Sequence, residues 1–538
     1  MRMVNKFTFE YETDVTCGAL LKDWYSKVSN LNRRYLFGDL VSFLTVDSSI
    51  DKVAILFGLR RTGKTVLTAH VVQYLCESGF CDVVARIYLT SNNDVSQLCR
   101  DMRRLRDAGF KYVFIDEATA VEDLYESVAI LADIYASSGM RIVLTGTHSL
   151  LFDFLRKDKL YDRTVLFDTT FISYKEYVHL HNTASVDDYL RRSGVAVGPA
   201  LSPFGTIEGT IDYSYTAIAN NIKQSLLNYR DMMTVSPLYD LYANDLLTTL
   251  IYRVLQQDEK IFSLNAVRKK FKSTDIGNTL ETLSKPRRVW ISKSGLTVAD
   301  IIDKASATYE QLLYLSILDP VGSIPVTQTH VDLLRDYLLD LGVCIQVPYY
   351  KNGFTGDLVI SNLLSQPGLR YNVALAAAHS VLQTAELSSL TNKEKEFMFG
   401  RMESELFGNL LEEAVLIELI NSVSASNGKW FELIPSVFKA SNILSIGEGE
   451  IDAIVYDRSS NRCVCIEVKH TSTIQAENQC RWLYNRQVMF EVESNVAPVS
   501  KRYVVYLGES KTDVYDGIDY VNVSEFLSDI RKFVCCHE

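Results

Sequence analysis

The chain has 538 residues, 47% of them hydrophobic and 22% charged, with a formal net charge of −11. This length exceeds one hydrophobic core and predicts several globular domains. The acidic balance argues against non-specific coating of nucleic acid, so any DNA contact must come from local basic patches. We expect no transmembrane helix, because no apolar run is long enough, and the scattered cysteines fit reduced thiols in the cytoplasm.

Residues 1–45 are predicted to be an N-terminal helical lead-in. The first strong pattern follows it, where the apolar run Val53–Phe57 predicts a buried strand and Gly58 to Thr65 reads G-x-x-x-x-G-K-T before a helix. Strand, glycine-rich loop and helix are the context of a P-loop, whose backbone N–H groups approach phosphate oxygens. We expect Lys64 to contact the β- and γ-phosphates of ATP and the Thr65 hydroxyl to ligate Mg²⁺.

A second strand at Val83–Leu89 precedes a helix with several arginines, whose side chains we interpret as a solvated face. The apolar strand Tyr112–Ile115 then ends in two carboxylates. Asp116 is expected to hold the Mg²⁺ shell, and Glu117 to orient or deprotonate the attacking water. This is a Walker B motif.

The strand Arg141–Leu144 runs into a polar tip, where Thr147 either senses the γ-phosphate or caps a helix. Val165–Phe167 is predicted to be the closing strand. The alternation of strands and helices predicts a mainly parallel, three-layer α/β core over residues 46–170. The candidate nucleotide-binding residues are Gly58, Arg60, Arg61, Thr62, Gly63, Lys64, Thr65 and Thr147.

Residues 171–242 lose strand character and predict a helical lid, with helices at Val186–Arg192 and Ile218–Met232 around a loop. Residues 243–350 are also mostly helical. In that region an amphipathic helix, Thr327–Leu341, a stop at Gly342 and a strand resemble the end of a winged helix. This unit, and a basic run at Arg268–Lys272, fit either DNA phosphates or a protein contact.

The last region, residues 351–538, carries a second set of acidic residues. Glu412 and Glu413 lie on an apolar helix, Asp452 in one predicted strand, and Glu467 and Lys469 on one side of the next. A hairpin would bring Asp452 beside Glu467, and such carboxylates repel one another unless a divalent cation lies between them. Lys469 could then help activate a metal-bound hydroxide. The alternative is a structural ion-pair cluster.

Nine short phrases of the sequence, given at the end of this paragraph, resemble those of the prokaryotic AAA-superfamily ATPases that carry a C-terminal domain of the PD-(D/E)XK restriction-endonuclease-like type. Ser193 departs from that pattern, because the related phrase has glycine there. The matching phrases are Gly58–Thr65, Ile115–Glu117, Leu144–Thr147, Phe171–Tyr177, Tyr189–Gly194, Pro367–Arg370, Gly408–Glu412, Glu450–Asp452 and Ile466–Lys469.

The resemblance implies a multidomain α/β protein with a P-loop ATPase core, helical lid, winged helix and C-terminal α/β nuclease-like domain. It favours Glu412 over Glu413 and assigns Asp452 and Glu467 as ligands of Mg²⁺ or Mn²⁺. The implied function is ATP hydrolysis coupled to DNA binding and metal-dependent cleavage by Glu412, Asp452, Glu467 and Lys469. Two alternatives stay open: a non-cleaving DNA- or protein-binding module, and a nucleotide switch that assembles with a protein partner. The expected partners are ATP, DNA, and either further copies of the chain or another protein; no membrane is expected.

Overall fold

The computed structural model describes only part of the chain. The predicted basic run Arg268–Lys272, and the predicted helix Ile218–Met232 beyond residue 223, lie outside the described residues. No helix in the described part is long and apolar enough to span a bilayer. The described residues are 10–46, 51–121, 129–147, 163–183, 185–198, 201–223, 236–244, 246–251, 253–255, 318, 320–351, 357–383, 392–425, 431–434, 436–438 and 450–535.

Six of the described strands form the sheet beneath the predicted P-loop, in the order β1-β3-β4-β5-β2-β6. Strands β2 to β6 run parallel, and their apolar sequences are typical of a sheet covered on both faces. Because carboxyl ends of parallel strands meet at one edge, the P-loop, Asp116 and Thr147 share that edge. The strands are β1 Asp14–Cys17, β2 Val53–Phe57, β3 Val84–Tyr88, β4 Tyr112–Asp116, β5 Arg141–Gly146 and β6 Thr164–Asp168.

Helices cover both faces of this sheet, which confirms the predicted α/β core with a parallel sheet. Leu21, Leu40 and Leu67, from the first three helices, are buried on one face. Leu98 and Met102 of the fourth helix are buried on the other. Asp94 caps the fourth helix in a reciprocal arrangement with Gln97. These helices are α1 Ala19–Tyr25, α2 Leu36–Thr45, α3 Lys64–Leu75 and α4 Val95–Asp107.

The N-terminal segment is more than the predicted helical lead-in. Its strand β1 pairs antiparallel with β3, so residues before 45 belong to the sheet. A strand of four residues is too short for its periodicity to be recognised in the sequence. Arg100 and Arg104 of α4 also pair with Glu12, so the predicted solvated face of this helix is tied to the N-terminal segment.

A helix and a β-hairpin occupy residues 328–364. Thr327 is the N-cap residue of helix α9, Gly342 follows the helix with a left-handed φ of +67°, and strand β7 comes next, in the order that the sequence predicts. Strand β7 pairs antiparallel with β8. The domain boundary predicted between residues 350 and 351 falls one residue before the end of β7. The elements are α5 Tyr174–His181, α6 Val186–Arg192, α7 Ile207–Tyr213, α8 Ser236–Ala243, α9 Gln328–Asp340, β7 Cys344–Lys351 and β8 Asp357–Leu364.

The C-terminal region extends that hairpin and adds a second six-stranded sheet. Strand β10 pairs parallel with β7, and the second sheet has the order β15-β16-β14-β13-β12-β9. The strands are β9 Phe431–Ile434, β10 Ser436–Phe438, β11 Glu450–Ile451, β12 Ala453–Asp457, β13 Arg462–Lys469, β14 Val499–Tyr506, β15 Lys511–Tyr515 and β16 Ile518–Asn522. The helices are α10 Pro367–Leu382, α11 Asn392–Ala425, α12 Ala476–Gln479, α13 Arg486–Asn495, α14 Val523–Ser528 and α15 Ile530–Val534.

Helices α5 and α6, predicted as part of a lid, are packed into the C-terminal region. Tyr174 and Tyr189 share a buried cluster with side chains of α11 and β13. Glu418 of α11 accepts hydrogen bonds from the Tyr174 N–H (2.5 Å) and the Tyr189 hydroxyl (3.1 Å). Burial raises the pKa of Glu418 to about 7, although both hydrogen bonds work to lower it. The region predicted as a lid therefore packs against the C-terminal region at α5 and α6.

The raised pKa of Glu418 predicts a pH-dependent stability. Its folded pKa of about 7 lies above the ordinary value of 4.5, so its contribution is fully present below pH 4.5 and is lost as the pH rises to about 7. The whole effect is on the order of 3 kcal/mol. In Glu418→Gln, the difference in melting temperature from wild type should change between pH 5 and 7 and level off above pH 8.

The surface variant Glu77→Gln is the control, because Glu77 is exposed and contacts Gln73 on the same helical turn. We expect its melting temperature to follow wild type at every pH. Identical pH profiles for Glu418→Gln and wild type would contradict the assigned ionisation of Glu418.

Candidate functional site

The P-loop places Lys64 at the bottom of a cavity. Gly63 has a φ of +90°, which favours glycine, and α3 begins at Lys64. The Lys64 ammonium donates to the carbonyls of Gly58 and Leu59, both at 2.8 Å. Burial lowers the pKa of Lys64 to about 8, while Glu117 and Asp116 act to raise it. A phosphate oxygen entering the cavity would offer this amine a charged acceptor in place of the carbonyls.

Thr62 and Gly58 pack the P-loop against Thr169, which follows β6. The Thr62 side chain is buried, donating to the Leu59 carbonyl and contacting the Thr169 hydroxyl at 2.7 Å. A Cβ at Gly58 would lie 2.4 Å from the Thr169 hydroxyl oxygen. The side chain of Thr62, predicted to bind nucleotide, therefore supports the loop from the side of β6, and only its backbone remains a candidate contact.

Arg34 of the N-terminal segment fixes the same loop and was missed by the sequence interpretation. Its guanidinium pairs with Glu176 of α5 at 2.6 Å and donates to the Thr62 carbonyl. It also donates to the carbonyls of Thr169 (3.3 Å) and Phe171 (3.1 Å). The Arg33–Arg34 pair before a Tyr-Leu-Phe run carries no signal of this contact in the sequence.

The two predicted Walker B carboxylates differ in their surroundings. Asp116 is buried and accepts from Arg86 at 2.7 Å and from the Thr145 hydroxyl at 2.5 Å. Glu117 has a left-handed φ of 53° and faces the cavity, and burial raises its pKa. A carboxyl with a raised pKa beside the phosphate site suits a general base.

The site fits the predicted Mg²⁺ only in part. Thr65 is exposed at the cavity wall, where its hydroxyl suits a metal ligand. Asp116 has both carboxylate oxygens engaged, and its Oδ1 also accepts the N–H of Glu117 at 3.2 Å. Three of about four lone-pair positions are thus used. In this arrangement Asp116 does not fit as a direct ligand of Mg²⁺.

The cavity beside the P-loop has a volume of about 510 Å³. Its polar lining includes Arg60, Arg61, Lys64, Glu117 and Thr147, all predicted as site residues. The Thr147 carbonyl accepts from Asn221 at 2.5 Å. The apolar part of the lining suits a nucleoside base. It consists of Leu31, Leu180, Ala196 and Val197, and Asn32 and His181 also line the cavity; the sequence offers no motif for these residues.

A short segment after α6, Ser193–Val197, lies directly on the P-loop. The Ala196 N–H donates to the Arg61 carbonyl at 2.8 Å, and a Cβ at Gly63 would meet the Ala196 Cβ at 3.0 Å. At its other end the Ser193 carbonyl accepts the N–H of Gly368, at the start of α10, at 3.2 Å. The segment therefore touches both the phosphate loop and the C-terminal region.

The structure also brings together the second predicted set of residues. Lys469 lies 2.8 Å from Glu467 and 3.5 Å from Asp452, and the Val468 N–H donates to Asp452 at 2.6 Å. Burial of Lys469 acts to lower its pKa, but Asp452, Glu467 and Glu412 outweigh it, so the pKa lies above its usual value. Glu413, in contrast, pairs with Arg370.

This arrangement is the one that the ion-pair alternative predicts. Within the described residues, no group of three or more His, Cys, Asp or Glu side chains is arranged to hold a metal ion. The ammonium of Lys469 lies between the two carboxylates that would be the ligands, Asp452 and Glu467. A divalent cation does not fit here while Lys469 keeps this position.

Residues 51–178 match the family model described as AAA domain. The P-loop, Asp116, Glu117 and Thr147 lie within the matched residues. This match confirms the predicted P-loop ATPase core; it does not extend to the C-terminal region. No curated protein matches the chain.

Solved structures similar to this chain include ORC2 and Hsp104. ORC2 of Aeropyrum pernix, in ADPNP and ADP complexes, is 10% identical with a TM-score of 0.28, over 65% of this chain and 94% of that chain. Hsp104 of S. cerevisiae, in an ADP complex, is 11% identical with a TM-score of 0.20, over 68% of this chain and 47% of that one. The domain assignment rests on the family match alone.

Gly194 offers a test of the segment that lies on the P-loop. It has a φ of +110°, and an added Cβ would lie 2.7 Å from the Gln366 Cβ. Gly194→Ala should displace the segment and weaken ADP binding about tenfold, a loss of about 1.4 kcal/mol. Gly139→Ala is the matched control, because Gly139 has a φ of +93° but open space around it. Equal ADP affinities in both variants, measured by calorimetry, would contradict the role of the segment.

Proposed function

We propose that this chain hydrolyses ATP and passes its nucleotide state to a C-terminal region that acts on DNA. The observation that carries the proposal is the cavity in which the P-loop, Lys64 and Glu117 meet. Lys64 would bind the β- and γ-phosphates, Glu117 would take a proton from the attacking water, and the apolar lining residues would contact the base. When bound, Mg²⁺ would supply charge neutralisation at the phosphates.

Two contacts support the coupling of the nucleotide to the C-terminal region. The segment Ser193–Val197 hydrogen-bonds to the P-loop at Arg61 and to α10 at Gly368. Tyr213 of α7 donates from its hydroxyl to the Arg60 carbonyl at 3.1 Å. A phosphate that moves Arg60 or Arg61 would therefore move groups that also pack against α10.

For the C-terminal region we propose metal-dependent DNA cleavage by Glu412, Asp452, Glu467 and Lys469, in a state in which Lys469 has moved away from the two carboxylates and a divalent cation has taken its place. The support is that Asp452, Glu467 and Lys469 lie together, with Glu412 close enough to raise the pKa of Lys469. The second candidate is a non-cleaving DNA- or protein-binding module. The ion pair between Lys469 and Glu467 favours it, because a cation of the chain itself already neutralises the carboxylates.

Glu117→Gln tests the proposed base for ATP hydrolysis. The variant should retain ADP affinity and lose about 10²–10⁴ in turnover, because an amide accepts no proton. Lys64→Ala should instead lose tight nucleotide binding. Phosphate release and calorimetric ADP titration separate the two effects.

The control for both is Asp107→Asn, since Asp107 is an exposed carboxylate on α4. Its turnover and affinity should equal those of wild type. Equal turnover in wild type and Glu117→Gln would remove Glu117 from the mechanism.

Asp452→Ala separates the two candidates for the C-terminal region. If a divalent cation binds there, the variant should lose the Mn²⁺ heat seen for wild type in saturating Mg-ATP, lose any DNA cleavage, and remain folded. If the cluster is structural, the loss of a buried partner costs about 3–5 kcal/mol and lowers the melting temperature.

Glu432→Ala is the control, because Glu432 pairs with Arg458 on the surface of the same sheet. Its Mn²⁺ heat and melting temperature should follow wild type closely. Identical Mn²⁺ heats for wild type and Asp452→Ala, together with a destabilised Asp452→Ala, would reject the nuclease site.

A further inference from the structure

The Walker B carboxylate has a cationic partner within the chain. Arg86 lies in the middle of β3, and its guanidinium is 2.7 Å from Asp116 Oδ2. Both side chains are buried, with 11% of Arg86 and 3% of Asp116 exposed. Among the described residues, Asp116 is the only one that accepts a hydrogen bond from Arg86. The charge of this arginine is therefore directed at one carboxylate of the nucleotide site.

Aromatic side chains hold the guanidinium in place. It lies over the Trp24 ring at 4.5 Å to the centroid and over the Tyr88 ring at 5.2 Å. Trp24 belongs to α1 and Tyr88 to the same strand as Arg86, so ring faces from two elements stabilise the cation. Arginine suits this position because its planar group stacks on rings while its N–H groups reach a carboxylate.

The surroundings offer no structural need for this ion pair. Val84, two residues before Arg86 in β3, is buried in the apolar cluster that Trp24 partly covers, together with Phe114 of β4. Apolar residues would fill such a place at less cost, since two charges must leave water to form the pair. The pair is better explained by what it does to Asp116 than by stability.

We propose that Arg86 is a positioning residue that competes with a divalent cation for Asp116. Its guanidinium occupies Oδ2 while Thr145 occupies Oδ1, so the cation that accompanies the nucleotide reaches Asp116 only when Arg86 gives up its contact. Nucleotide binding therefore needs a higher Mg²⁺ concentration than it would need without the contact between Arg86 and Asp116. Because Trp24 holds Arg86, the N-terminal segment takes part in this control.

This inference rests on the proposed nucleotide binding, and Arg86→Gln tests it. Binding of a fluorescent ADP analogue to the full chain is measured as Mg²⁺ is titrated, and also in EDTA. In Arg86→Gln the Mg²⁺ concentration for half-maximal enhancement of binding should fall about tenfold, and the affinity in EDTA should stay within about threefold of wild type.

Arg141→Gln is the matched control. Arg141 is a buried arginine of the same sheet that donates to the Val46 carbonyl and does not line the cavity. Its Mg²⁺ requirement should equal that of wild type. If Arg86→Gln fails to fold, Arg86→Lys replaces it, with an expected fall of about threefold, because lysine keeps the charge but loses the stacked plane.

The outcomes separate the inference from the function on which it rests. A wild-type chain that binds no ADP analogue, with or without Mg²⁺, overturns the proposed nucleotide function and this inference with it. A wild type that binds the analogue, with an unchanged or higher Mg²⁺ requirement in the folded Arg86 variant, overturns the competition alone. The same shift in Arg141→Gln would also overturn it, since the effect would then belong to the sheet rather than to Asp116.

Discussion

The buried ion pair between Arg34 and Glu176 joins the parts of the molecule that build the nucleotide site. Its two-pronged geometry, with 2.6 and 3.1 Å between nitrogen and oxygen, ties the N-terminal segment to α5. The remaining N–H groups of Arg34 hold the P-loop at the carbonyl of Thr62 and the end of β6 at that of Thr169. Loss of either partner would leave an unpaired buried charge, at a cost of about 3–5 kcal/mol, and would release the loop.

From α5 the connection continues into the C-terminal region. The helix that carries Glu176 begins at Tyr174, whose N–H is held by Glu418 of α11. Helix α11 also carries Glu412, one of the candidate nuclease residues. A second connection, through Ser193 and Gly368, reaches α10. Two separate hydrogen-bonded connections thus link the phosphate loop to the region that holds the second site, one through Glu176 and Glu418 and one through Ser193 and Gly368.

The sequence predicted those parts whose chemistry is local. Strand, loop and helix around Lys64, and the strand before Asp116, follow from apolar runs and glycine spacing. The helix after Thr327 follows from its amphipathic pattern and its stop at Gly342. Contacts across the fold left no such trace. Arg34 acts on residues far away in the chain, and β1 is too short to show alternation. The boundary predicted at residue 351 falls at the end of β7, although β7 pairs with β8 beyond it.

Both candidate centres share one electrostatic feature that no motif displays. In each, a basic side chain of the protein occupies carboxylates that the sequence assigned to a metal: Arg86 at Asp116, and Lys469 at Glu467. Buried carboxylates need a cation nearby, because low polarity makes their negative charge costly. A motif shows that the acids are present, but which cation neutralises them depends on the neighbouring strand or side chain. Metal affinity at either centre is therefore the difference between two cations competing for the same oxygens, rather than a property of the acids alone.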